Sequence, residues 1–516
     1  MNLLKTADHK RIGLLQVIAA LLAMGIAGAA GTSMRVMASS GTIDHFDALS
    51  ALHDALLGVF VVLPLWFGIA TVVVPLQLGT NRLAFPKLSA AALWTHVGGA
   101  AAVVAGYTHT PAPSGFRTVF STVPFPASLA KATDTRGADL VVLGMLLGAV
   151  ATVLMAINLV ATISSRRAHG LTLGRLPYFS WSVLVGAIGV ALATPVFIGG
   201  LGLVWIDQHF NGSFFTSAVA NTFWSHTIWL GGRPEALLGA TFLLGAGADI
   251  VLTAAKGTAT ATGRKNELDV VTRAGIAAFA TFAFVPWTLT SDQVGGTLAP
   301  FSNVVTILPI LAAGVVGLTW LAQLRHGLKL IPSVVPLVTA LLLGVVALGD
   351  GLLRFTSDNR GGIWSQTSLT LFAIGIPVAG AIAALVHWAP KIVGGAIPAP
   401  AATLVALATS GGFALQALSG VLLGADGSAP YAPRWFDGDG RGNLALLGAA
   451  GRGITAFGVV ILALTYIAAR RTSGAANTYG TGVTLEWAAA SPPPPHNFDS
   501  VPDVSSPTPL LQGASS

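Results

Sequence analysis

The sequence predicts an all-α polytopic membrane protein, and three observations support this fold class. Mean hydropathy is +0.74, and only 9% of the 516 residues are charged. Apolar runs of about 20 residues, the length that crosses the hydrocarbon of a bilayer, recur along the chain. The 61 glycines fit close helix packing in lipid, where small residues let backbones approach. This composition excludes a set of soluble domains.

Twelve apolar runs are long enough to span the membrane. The first begins at Ile12, and the others cover residues 55–78, 88–107, 138–163, 181–204, 223–252, 270–290, 301–323, 333–353, 366–389, 401–424 and 444–468. After Arg471 the chain is polar and rich in Pro and Ser. We therefore expect a membrane domain of residues 1–470 and a cytoplasmic tail, 471–516, that is extended or disordered.

Basic residues predict the orientation of these spans. Of the 27 lysines and arginines, 17 lie at the ends of spans on the side of the N-terminus and nine lie on the other side. The positive-inside rule then places both termini in the cytoplasm. The basic residues that give the net charge of +7 lie at the ends of the spans. The bilayer is therefore the expected partner, and nucleic acid is not. The absence of cysteine excludes disulfides and thiolate metal sites.

One apolar run carries charges at its centre. Gly231–Leu237 reads Gly-Gly-Arg-Pro-Glu-Ala-Leu, which puts Arg233 and Glu235 inside the span 223–252. A charge at this depth costs about 2.5–3.5 kcal/mol on insertion scales, so such residues usually have a function. The alternative is a structural ion pair.

Several short motifs follow one another along nearly the whole chain. They are Thr6–Gly13, Val74–Gly79 with Ala84–Pro86, Gly170–Trp181, Ser213–Phe215, His387–Lys391, and Thr484–Trp487 with Ser491–Phe498. Together they resemble subunit I of the haem–copper respiratory oxidases, closest to bacterial cytochrome c oxidase. This resemblance implies a twelve-helix bundle in a prokaryotic plasma membrane. It also implies two haems and one copper, held by imidazoles.

The resemblance implies one haem ligand that this chain keeps and two that it lacks. His53 matches the low-spin haem ligand of the second span. On the tenth span the family carries His-Phe-His, one imidazole for each haem. Counting back from His387 without gaps places Ser368, Leu369 and Thr370 at those positions.

The copper site implied by the resemblance is missing as well. The sixth-span motif of the family is Gly-His-Pro-Glu-Val-Tyr, and Gly232–Leu237 reads Gly-Arg-Pro-Glu-Ala-Leu. Arg233 therefore replaces a copper ligand, and Leu237 replaces the tyrosine. The seventh span should supply a His-His pair, but Phe284–Gln293 contains no histidine.

Proton routes and haem contacts are kept only in part. The resemblance places Val316 at the lysine of one proton channel and Arg82 at the acidic entrance of the other, whose inner glutamate is kept as Glu235. Arg35 and Arg434 resemble partners of haem propionates. We expect no copper and no haem, with one haem at His53 as the alternative.

Three functions remain open. The first is a redox-inactive paralogue with a structural or regulatory role, which could contact membrane proteins that resemble oxidase subunits II and III. The second is an active oxidase that reduces dioxygen with electrons from cytochrome c and pumps protons. The third is a transporter or proton conductor that reuses Glu235. In each case we expect Arg233 to need a buried acid, and Asp292, about one turn beyond the seventh-span position, is the predicted partner.

Overall fold

A computed structural model describes residues 6–40, 46–109, 135–210, 214, 220–256, 265–283, 299–356, 367, 370–425, 440–470, 474–500, 504, 506 and 508–511. The helices are α1 (His9–Ser40), α2 (Phe46–Phe60), α3 (Val62–Gln77), α4 (Pro86–Thr108), α5 (Arg136–Ser165), α6 (Tyr178–His209), α7 (Ala220–Ala254), α8 (Lys265–Phe282), α9 (Ala299–Leu324), α10 (Val334–Thr356), α11 (Ile376–Ile392), α12 (Ala399–Ala425) and α13 (Arg441–Ala469). These elements confirm the predicted all-α membrane bundle.

Each predicted span coincides with a helix. Within the described residues, ten helical segments are long and apolar enough to cross a membrane, and α2 and α3 together form one of them. The other two predicted spans correspond to α8 and α10. Helix α8 is less apolar because its first half is charged, and there Arg273 pairs with Asp269 at 2.9 Å.

The centre of the bundle contains α3 and α11, in which almost every side chain is buried. Outer helices expose leucine and valine side chains where lipid would lie. Glycine permits the closest helix contacts. A Cβ added at Gly99 of α4 would lie 2.7 Å from the carbonyl oxygen of Gly144 on α5, so neither position accepts a larger residue without a shift.

The segment after the last span packs back against the bundle. Tyr479, Glu486 and Trp487 are buried, and Lys391 at the end of α11 donates to the carbonyl oxygens of Ala476 and Ala489, both at 2.6 Å. The expectation of an extended or disordered tail is therefore wrong for residues 474–500. Its aromatic side chains bury enough apolar surface to offset the cost of ordering a Pro- and Ser-rich chain.

Candidate functional site

A cavity of about 550 Å³ brings several of the predicted site residues together. It lies among α1, α2, α12 and α13, and His53, Arg35 and Thr370 are all part of its wall. A π-helical turn, Leu371–Gly375, follows Thr370 and leads into α11. Two of the residues that the sequence connected with haem, His53 and Arg35, thus border one space.

The His53 ring is fixed by α1. Its Nδ1 lies 2.7 Å from the carbonyl oxygen of Ala27. A carbonyl can only accept, so Nδ1 carries the proton and Nε2 keeps its lone pair. Gly31 makes this approach possible, because a Cβ there would lie 2.7 Å from the same Nδ1. An outer hydrogen bond of this kind is the usual way to orient a histidine ligand.

Charged side chains also border the cavity. Arg35 comes from α1, Asp54 from α2 and Arg452 from α13. The Nη1 of Arg452 donates to the Gly448 carbonyl at 3.4 Å, and its Nε has no hydrogen-bond partner among the described residues. Among the described residues, two cations and one anion therefore border a mostly apolar space. Asp54 and Arg452 were not predicted as site residues, since they are far apart in the chain.

A low-spin haem with two imidazole ligands does not fit these residues. His53 can supply one axial ligand, but Thr370 is the residue that lines the cavity where the resemblance predicts a second histidine. A neutral hydroxyl is not among the usual strong axial ligands of haem iron. Among the described residues that line the cavity, His53 is the one histidine.

Most of the other described histidines are used in packing or in pairs with polar groups. His9 contacts the Thr71 carbonyl, His209 pairs with Asp139, His387 lies near Ser333 and stacks on Tyr479, His326 accepts from Arg325, His496 pairs with Asp499, and His96 is buried beside Phe60. Within the part of the chain that the structure describes, no group of three metal-ligating side chains is found.

The remaining predicted site residues lie outside the described side chains. They are Arg233, Glu235, Asp292, Ser368 and Arg434. Leu237, at the position of the family's tyrosine, is described and packs against the hydrophobic core. The Arg233–Asp292 pair stays a prediction.

Both proton-channel positions outside the sixth span are described. Val316 is fully buried on α9, and a Cβ added at Gly275 of α8 would lie 2.7 Å from its Cγ2. Arg82 is exposed in the turn before α4. A packed aliphatic side chain and an exposed cation therefore occupy the two positions at which the resemblance predicts proton-channel residues.

A buried polar cluster was missed by the sequence analysis. Gln77 donates through Nε2 to Asp249 Oδ2 at 2.9 Å and to Glu486 Oε1 at 3.1 Å. Its Oε1 accepts from the backbone N–H of Ser180 at 3.2 Å and from its hydroxyl at 2.7 Å. Gln77 and Glu486 lie in two of the quoted motifs, and that was the only signal that could have connected them.

The carboxyl of Glu486 is fully buried between the tail and the bundle. Burial raises the pKa of Glu486, and hydrogen bonds from Gln77, Thr484 and Trp388 offset part of the rise. Asp249 accepts from the backbone N–H groups of Tyr178 and Phe179, both at 3.1 Å. The cluster thus joins the end of α3, the start of α6, α7 and the tail through the carboxyl groups of Asp249 and Glu486.

Comparison with known proteins identifies the family. A profile described as cytochrome c and quinol oxidase polypeptide I matches residues 11–437. The chain belongs to this family. The resemblance seen in the sequence motifs is therefore confirmed, and the fold of this oxidase family explains the twelve spans.

Relatives match along the whole chain at low identity. A probable cytochrome c oxidase subunit 1-beta of Nocardia farcinica is 27% identical, covering 99% of this chain and 88% of that protein. Quinol oxidase subunit 1 of Bacillus subtilis is 25% identical, covering 97% of this chain and 78% of that protein. A solved haem–copper terminal oxidase dimer has a TM-score of 0.67 at 13% identity, covering 98% of this chain and 89% of that one, which shows the shared fold.

Proposed function

We propose that this oxidase-family chain is a redox-inactive membrane subunit with a structural or regulatory role in a respiratory membrane complex. The observation that supports the proposal is that His53 and Thr370 line the same cavity. Electron transfer through the family's low-spin haem needs two imidazoles, and the described residues of this wall offer one. The positions of the copper ligand and the tyrosine hold Arg233 and Leu237.

The packing of Val316 supports the same function. A lysine at this position would have to be buried against Gly275, where even a small addition meets the Val316 side chain. Loss of a proton route is expected when there is no dioxygen chemistry to consume protons. The chain keeps the packed scaffold around these positions, as a subunit that contacts other membrane subunits requires.

Three measurements on the purified chain test this proposal. We expect no stoichiometric copper by elemental analysis, no cyanide-sensitive oxygen uptake with reduced cytochrome c or quinol, and no bis-imidazole haem spectrum. Arg233→His should not restore oxygen uptake, because the other copper ligands and the tyrosine are still missing. Stoichiometric copper together with cyanide-sensitive oxygen uptake would establish an active oxidase instead.

The alternative of a single haem has its own signature. Haem held by His53 would have one imidazole ligand, so its spectrum would be five-coordinate or water-bound, and His53→Ala would abolish it. A low-spin bis-histidine spectrum, or haem content unchanged in His53→Ala, would contradict the assignment of His53 as the one imidazole ligand of this haem.

A further inference from the structure

A short antiparallel bridge joins two connections between helices at one end of the bundle. The chain just after α7 pairs with the chain between α9 and α10, where Ala255 lies opposite Leu328. The N–H of Lys256 donates to the Gly327 carbonyl at 2.9 Å, and the N–H of Lys329 donates back across the bridge at 2.7 Å. These bonds fix the two connections against each other.

The bridge brings three cations together at the surface. Lys256, Arg325 and Lys329 are all exposed. Gly327 has a φ of +110°, which favours glycine, and a Cβ added there would lie 3.2 Å from Cδ of Lys256. The apolar stem of Lys256 therefore crosses the turn that follows Arg325, although the two residues belong to different connections.

Two of these cations can meet an external anion. Lys329 Nζ already donates to the Tyr479 carbonyl of the tail. Arg325 Nε donates to His326 Nε2 at 2.8 Å, which uses one of the five N–H donors of the guanidinium. None of the ion pairs among the described residues involves Lys256 or Arg325. An anion can therefore bind these two side chains without first breaking an ion pair.

Both cations lie at the ends of membrane spans. Arg325 directly follows the candidate span Ile307–Leu324, and Lys256 lies just after the candidate span Leu237–Ala254. Long basic side chains at the ends of spans extend to the interface between hydrocarbon and water. The two charges are therefore at the level of the lipid phosphate groups.

The apolar surface of α9 leads up to the same place. Leu318 and Leu321 on this helix are both 66% exposed, and Arg325 follows Leu321 by about one turn. Exposed aliphatic side chains on an outer helix of a membrane bundle face acyl chains. The surface thus offers apolar contact and then positive charge, in the order in which a phospholipid carries its acyl chains and its phosphate.

We propose that this surface, formed by Lys256 and Arg325 with Leu318 and Leu321, binds an anionic phospholipid. The phosphate pairs with the two cations, and an acyl chain lies along the leucines of α9. A lipid with net negative charge is favoured over a zwitterionic one, because each basic residue near the membrane surface attracts anionic lipid. The inference goes beyond the proposed function and does not depend on it, since none of these four residues lines the cavity at His53.

The lack of native cysteine allows a single fluorescent label to be placed beside this surface. Leu321→Cys, labelled with bimane in the full chain, reports nearby lipid through quenching by brominated acyl chains. The labelled chain is reconstituted in vesicles that contain either dibrominated phosphatidylglycerol or dibrominated phosphatidylcholine mixed with ordinary phosphatidylcholine. We expect phosphatidylglycerol to bind at least about tenfold more tightly, since two cations contribute.

A second label position controls for lipid contact alone. Leu404, near the start of α12, is 48% exposed, and residues 393–398 before that helix include no lysine or arginine. Bimane on Leu404→Cys should therefore be quenched equally by the two brominated lipids.

Substitution of the cations tests the head-group contact. In the Leu321→Cys chain, Lys256→Gln and Arg325→Gln should each lower the preference for phosphatidylglycerol about fivefold, and the double variant should remove it. Lys87→Gln, which changes an exposed lysine at the start of α4, is the matched control and should leave the preference unchanged. All three positions are exposed, so the fold should be kept, and unchanged tryptophan emission checks this.

Three results would overturn the lipid site. They are equal quenching by the two lipids at Leu321→Cys, an equal preference for phosphatidylglycerol at Leu404→Cys, and a preference unchanged in the double variant. Loss of the preference on adding millimolar glycerol phosphate would also overturn it, because the ligand would then be a soluble phosphate compound. None of these measurements involves copper, haem or oxygen uptake, so their failure leaves the proposed function intact.

Discussion

Replacing Gln77 with leucine should cost the bundle a large part of its stability. The Gln77 amide uses both of its N–H donors and both acceptor positions of its oxygen, on Asp249, Glu486 and Ser180. Leucine has a similar volume, so the change removes hydrogen bonds without opening a large cavity. It leaves two carboxyl oxygens and the Ser180 hydroxyl with fewer partners in a region closed to water.

The expected magnitude follows from these lost contacts. A buried group left without its partner costs about 1–3 kcal/mol, and more when it is charged. Asp249 keeps two backbone donors and Glu486 keeps Trp388, so the losses do not add fully. We expect the free energy of unfolding to fall by about 1–3 kcal/mol, the cost of leaving buried polar groups without a hydrogen-bond partner. Reversible unfolding in mixed micelles with SDS, followed by tryptophan fluorescence, measures it.

Gln16 on α1 is a matched control for this experiment. It is also buried, at 2% exposure, but neither atom of its amide has a hydrogen-bond partner among the described residues. Gln16→Leu therefore removes an unsatisfied polar group, and stability should stay unchanged or rise by about 1–3 kcal/mol. If Gln16→Leu and Gln77→Leu shift stability by the same amount, hydrogen bonding of the buried amide is not what stabilises the cluster.

Three further predictions concern titration, pairing and orientation. Burial raises the pKa of Glu486, so the folded chain holds this proton more tightly than the unfolded chain does. The free energy of unfolding should therefore fall as pH rises from the ordinary glutamate pKa through the raised one. Glu486→Gln should flatten that part of the pH profile. Arg233→Leu and Asp292→Leu should each lower folded yield in detergent, whereas the double variant should largely recover it; simply additive losses would exclude the pair. Reporter fusions at Arg166 and Gly438 should be read on opposite sides of the membrane, with Arg166 cytoplasmic, and the same side for both would refute the topology.

The fold could be predicted because it depends on averages over long segments. Apolar runs of the right length define the spans whatever their partners are, and the bundle contains a helix for each of them. The prediction for the tail was wrong because it used composition alone. Pro and Ser disfavour a core on average, but Tyr479 and Trp487 pack on His387, with ring centroids 5.4 and 5.2 Å away.

The candidate site could be predicted only in part. His53 was accessible from the sequence because a histidine at a known position of a span marks a haem ligand in this family. Asp54 and Arg452 were not, since the cavity that they border forms only when the first and last spans pack together. Gln77 was missed for a similar reason, because a single amide on an apolar helix does not reveal its partners on other segments.

The polar region around Gln77 and the polar region around Arg452 differ in whether their groups meet each other or border a cavity. At Gln77, neighbouring N–H groups meet both carboxyl groups, which is the arrangement of a structural connection between helices. At Arg452, charged groups border a space of about 550 Å³ that continues toward lipid-facing side chains. Polar groups that hydrogen-bond to each other in a region closed to water stabilise the fold. Substitution at Gln77 should therefore lower the free energy of unfolding, because Asp249, Glu486 and Ser180 each lose a hydrogen bond.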